Sequence, residues 1–105
     1  MVYELDKEKT IKELKSDGID PLLAYLNVTR LKILATLSEP KSANEIAKEI
    51  NLSTKEVVSN LNVLVAAGIV NSYKEDVEGY SISKYSINRD KYKEVIQRVK
   101  ELDDM

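Results

Sequence analysis

Apolar positions recur every three or four residues along most of this chain, and the polar residues that interrupt them mark where helices begin. Two interruptions carry the same pattern eleven residues apart: Ser42-Ala43-Asn44-Glu45 and Ser53-Thr54-Lys55-Glu56. Each reads as a capping box, in which the serine hydroxyl accepts from the amide three residues on and the glutamate reaches back to the serine amide. Two helices therefore start one short helix and one tight turn apart. That is the spacing of a helix-turn-helix.

Between the boxes, Ala47 is small where the helices approach, Asn51 sits where a left-handed residue is wanted, and Val57 returns to pack on the first helix. Ile46, Ile50, Leu52, Leu61 and Leu64 fall on one face of each helix. An ordinary helical hairpin in an all-α domain fits this segment too, so the residues after Val65 decide. Ala66-Ala67-Gly68 ends the second helix with glycine at C′, and residues 69–74 read as a strand rich in β-formers. After a turn-prone stretch at 75–79 a second strand runs from Tyr80 to Ile87. Its apolar alternation changes phase between Ile82 and Tyr85, which predicts a bulge or a late strand start. A hairpin directly after the second helix is a wing, with Tyr85 and Ile87 covering the core.

Upstream, Asp6 can cap a helix carrying Ile11 and Leu14 that stops near Gly18, and Asp20-Pro21 opens a further short helix. Asn27 caps the next, which runs through Ile33, Leu34 and Leu37 and stops before Pro40. Downstream, Tyr92, Val95, Ile96, Val99 and Leu102 form an apolar stripe with charged residues on the other face. Such a stripe either folds back onto its own domain or meets a second copy. The expected architecture is mainly α with a small β-hairpin, an α+β winged helix-turn-helix in one domain. It has an N-terminal helix over 1–19, a core over 20–88 and a C-terminal helix over 89–105.

The outward face of the second helix is the candidate chemistry. At about 100° per residue, with Val57, Leu61 and Leu64 inward, Lys55, Val58, Ser59, Asn62 and Ala66 point out. Lys55 can reach a guanine or a phosphate, Asn62 can pair with adenine, and Ser59 can donate or accept. Ser42, Ser53 and Thr54, at the starts of the two helices, are placed for backbone phosphates. In the wing, Lys74, Lys84 and Tyr80 are candidate phosphate contacts around a tip made acidic by Glu75, Asp76 and Glu78. Each of these side chains also reads as a polar residue facing water, and the wing as one that avoids DNA.

Composition narrows the classes. The 105 residues are 43% hydrophobic, enough for one small core. With 16 basic and 18 acidic residues the net charge is −2, which argues against a nonspecific coating protein but not against a local basic face. There is no cysteine and no histidine, so thiolate and imidazole metal sites and thiol redox sensing are excluded. The same absence, with three scattered glycines and no phosphate loop, leaves catalysis without support and no cofactor expected. No apolar run spans a membrane and no signal peptide is evident, so a cytoplasmic protein is expected.

From Leu26 to Asn88, about three-fifths of the chain, the residues resemble the ArsR/SmtB-type winged helix-turn-helix regulators. The matching stretches are Leu26 to Leu34, Glu45-Ile46-Ala47, Leu52-Ser53, Val57, Leu61 to Leu64, Ala67 to Val70 and Tyr85 to Ile87. MarR-type regulators share much of the pattern. The resemblance implies a homodimeric transcription regulator on a palindromic double-stranded operator, with helix 54–67 in the major groove and wing 69–88 near the backbone. For dimerisation it points to Ile11, Leu14 and the C-terminal stripe. Arg30 matches an arginine of the family, either touching phosphate or bracing the motif by a salt bridge. The chain departs from the family's metal-sensing branch in lacking its cysteines and histidines, and from its usual basic recognition helix in carrying Ser59 and Asn62. That weakly basic face, with outward Val58, also fits a winged helix that docks on protein.

Overall fold

Local capping sets the element order. In the computed structural model, which describes residues 19–104, Asp20 accepts from the Leu22 amide at 2.9 Å and Pro21 opens α1, Pro21–Tyr25. Asn27 accepts from the Arg30 amide at 3.0 Å and starts α2, Val28–Thr36. The expected N-terminal helix, with Asp6, Ile11, Leu14 and Gly18, lies outside the described residues.

Ser42 starts α3, Ala43–Ile50, with both arms of the capping box closed: Glu45 N donates to Ser42 Oγ at 3.3 Å and Ser42 N to Glu45 Oε1 at 3.0 Å. Asn51 then takes the left-handed conformation, φ 56° and ψ 49°, as the turn requires. Ser53 starts α4, Thr54–Ala66, by accepting from Glu56 N at 3.1 Å. Here the expectation of a second complete box is corrected, since only the serine arm forms. Glu45 is held in place by a lysine, whereas Glu56 has no ion-pair partner among the described residues and its carboxylate stays with water. Past α4, Gly68 at φ 79° donates to Val65 O and Ile69 to Leu64 O, a Schellman ending.

The hairpin differs from its sequence reading. Strand β1, Val70–Val77, pairs with β2, Tyr80–Ile87, antiparallel and in unbroken register from Val70↔Ile87 to Val77↔Tyr80. There is no bulge, and the loop is two residues rather than five. Glu78 and Gly79, at φ 51° and 86°, turn the chain in the positive-φ geometry that suits a twisted hairpin. The phase change arises because Tyr85 is buried in the core, while Ile82, three residues earlier, is half-buried beside the starts of α3 and α4. Tyr85 also exchanges both backbone bonds with Lys41, at 2.8 and 3.0 Å, pinning the wing to the residue before the first cap.

Finally, Asn88 caps α5, Arg89–Asp103. The core lies where α2, α3 and α4 cross: Ile33, Ile46, Val57, Leu61, Leu64 and Ile69 are fully buried, closed over by Ala24, Tyr85 and Val95. Fully burying one such aliphatic side chain stabilises the fold by about 1.5–3 kcal/mol.

Candidate nucleic-acid interface

Helix α4 buries one side and presents the other. Lys55, Ser59, Asn62 and Ala66 are exposed along one stripe, as the helical wheel predicts, and Val58 beside them is half-buried. Asn60 faces the back, where its Oδ1 receives Arg30 Nη1 at 3.1 Å. The Arg30 Nε donates to Ala24 O at 2.6 Å, so this guanidinium ties the end of α1 to α4. Of the two roles open to Arg30, the brace is the one observed, made to a carbonyl and an amide rather than to a carboxylate.

The starts of α3 and α4 lie side by side. Thr54 Oγ1 donates to Asn44 Oδ1 at 2.8 Å, joining the two helices at the exposed edge. Asn44 escaped the sequence reading. Its signal was its place inside the first box, just after the cap, but only the helix crossing reveals Thr54 as its partner.

Lys84 reaches from β2 to Glu45 at 3.1 Å and to Glu75 at 4.0 Å, and its side chain keeps only 20% of its exposure. The Ser42 amide first, then Lys84, hold the Glu45 carboxyl down at about 2 from its ordinary 4.5. Glu45 in turn raises the Lys84 ammonium above its ordinary range. Lys41 pairs with Glu49 at 2.7 Å, and Lys74 donates to Ser83 Oγ at 2.8 Å. Both wing lysines named from sequence are thus engaged within the protein, while Lys55 makes no ion pair among the described residues. The acidic wing tip carries Tyr80, 75% exposed.

The C-terminal stripe divides. Val95 is buried in the chain's own core, and Tyr92 sets its ring edge-on to Tyr25 at 6.1 Å. Ile96 and Val99 are half-buried and Leu102 is exposed. Arg98 pairs with Asp20 at 2.9 Å, tying α5 to the cap of α1 and lowering the Asp20 carboxyl. Nearby α1 and α2 leave Leu23, Leu26 and Val28 more than half exposed. Ile11 and Leu14 lie outside the described residues.

Among the described residues no cluster of acidic side chains is placed to hold a metal ion, and no buried side-chain polar atom lacks a partner. No helix among them is long and apolar enough to cross a membrane.

Residues 25–73 match the family described as a helix-turn-helix domain. No curated protein matches the chain by sequence. Solved structures share its fold. An ArsR-like transcriptional regulator from Rhodococcus sp. RHA1 is 24% identical, covers 90% of this chain and 82% of its own, and superposes with a TM-score of 0.63. A transcriptional regulator homologue from Pyrococcus horikoshii OT3 is 21% identical over 90% of this chain and 91% of its own, with a TM-score of 0.64. A fragment of a possible transcriptional regulatory protein from Mycobacterium bovis is 24% identical over 78% of this chain and 85% of its own, with a TM-score of 0.62. Residues 25–73 are thus similar to a helix-turn-helix domain, and the fold around them is one shared with these solved structures.

Proposed function

We propose that this chain is a sequence-specific, double-stranded-DNA-binding transcription regulator of the cytoplasm, acting as a homodimer on a palindromic operator. The observation that carries the reading is the exposed stripe Lys55, Ser59 and Asn62 along one side of α4, beside the paired starts of two capped helices. In this reading α4 lies in the major groove, Asn62 reads adenine, and Lys55 and Ser59 contact base edges. Ser42, Ser53 and Thr54 meet phosphates with the amides of the helix starts. Lys74 and Lys84 approach the backbone from the wing, whose acidic tip points away. The chain has no catalytic role and senses neither metals nor thiols, in keeping with the lack of cysteine and histidine.

For the dimer, the exposed Leu23, Leu26 and Val28 and the outer end of the α5 stripe, Ile96, Val99 and Leu102, supply apolar surface in need of a cover. Ile11 and Leu14 belong to the same assembly.

Selection from random duplexes at low salt, followed by a salt titration of the winner, tests the reading. A palindromic winner is expected, with a shallow slope of roughly 0.9 per neutralised phosphate. Failure to enrich any duplex refutes it in favour of a protein-docking module, for which exposed Tyr73, Val77 and Tyr80 on the wing are the supporting surface.

A further inference from the structure

Val58 is the outward residue that polar base reading leaves unexplained. It stands three residues after Lys55 and four before Asn62, so it shares their side of α4. It is half-buried because it forms one wall of a cleft of about 340 Å³ between the helix starts and the wing. Ile82 and Tyr85 supply the other apolar surface, and Ser42, Asn44 and Thr54 contribute polar atoms. No lysine or arginine lines the cleft. The two lysines near it on β2 and before α3 are each bound to a glutamate, Lys84 to Glu45 and Lys41 to Glu49. The stretch between Val58 and Ile82 therefore offers no charge to a phosphate, which the helix starts meet at the rim, and it suits an apolar group edged by polar neighbours.

We propose that Val58, backed by Ile82, is a specificity-determining residue that reads the C5-methyl group of a thymine. This inference rests on the DNA-binding reading above and sharpens it. Among the four bases only thymine presents a methyl group in the major groove, and apolar contact is how that group is recognised. The cleft wall is continuous with the polar stripe, so the helix that carries Asn62 to an adenine carries Val58 to the same groove. Four residues of helix advance about 6 Å along the axis, less than two base-pair steps of about 3.4 Å. The thymine therefore lies within two base pairs of the base Asn62 reads.

The test replaces each thymine of the selected duplex in turn by deoxyuridine, which removes only the methyl group. At one position per half-site the wild-type protein is expected to lose about fourfold in affinity, the weight of one buried methyl. Val58→Ala is expected to bind the thymine and deoxyuridine duplexes equally there. The ratio is read within one preparation, so partial unfolding cannot imitate the result. Val58→Asn, which keeps a side chain of similar size but offers the thymine no methyl, is expected to shrink the ratio as well and serves if the alanine variant does not fold. Binding with no uridine-sensitive position, or a sensitivity that survives both substitutions, overturns the inference and leaves the DNA reading standing. Absence of any duplex binding overturns both.

Discussion

The two serine caps have the same sequence pattern and different fates. At the first, Ser42 and Glu45 close both arms, and Lys84 from the wing adds a third contact. At the second, Ser53 forms its arm alone, Glu56 stays in water, and Thr54 and Lys55 are exposed beside it. The first cap is thereby a joint between the helix-turn-helix and the wing, and the second is a surface open to a partner. The same local pattern thus yields a scaffold where tertiary charge meets it and an open surface where it does not.

The largest effect separates the buried from the presented side of α4. Leu61→Ala is expected to cost about 2–5 kcal/mol of unfolding free energy in a urea titration, whereas Ser59→Ala two residues earlier should change it by less than about 0.5 kcal/mol. Equal losses would mean that the stripe is packed rather than presented. Next comes Asn62→Ala, which should weaken operator binding by about 1–3 kcal/mol and leave stability unchanged. A fluorescence-anisotropy titration beside a thermal melt checks both arms.

Smaller effects probe the caps themselves. Ser42→Ala and Ser53→Ala should each cost about 1 kcal/mol, with Ser42→Ala the larger because it also loosens the Glu45 arm. Acid should loosen the first cap. Because the folded state holds Glu45 at about 2 against an ordinary 4.5, its contribution is complete above 4.5 and disappears as pH falls towards 2. Glu45→Gln should therefore flatten the acid limb of the stability profile. The slightest effect is that of Lys84→Ala on DNA affinity, expected to lower the salt slope by about 0.9. An unchanged slope would assign that charge wholly to Glu45.

Much of the fold was legible because its signals are local. Asp20-Pro21, Asn27 and Ser42 each satisfy amides within three residues, so their helix starts need no distant partner. Asn51 and Gly68 mark left-handed positions that few other residues accept. The hairpin tip differs from its sequence reading because Glu75, Asp76 and Val77 are turn-prone or ambiguous alone, and cross-strand pairing with Ile82, Ser81 and Tyr80 keeps them extended. The site was legible in outline: the wheel placed Lys55, Ser59 and Asn62 outward. It did not show that Lys74 is bound to Ser83 or Lys84 to Glu45, contacts across 9 and 39 residues.

Sequence alone therefore determined where the helices start, which side of each turns inward, and that cysteine and histidine chemistry is closed to this chain. Spacing and composition are enough for those statements, since caps act within a turn and a missing residue type cannot be supplied by folding. Tertiary structure decided which charges remain available. Ion pairs such as Lys84–Glu45 join residues whose separation along the chain carries no periodic signal, and only the wing's pinning at Tyr85 brings them together.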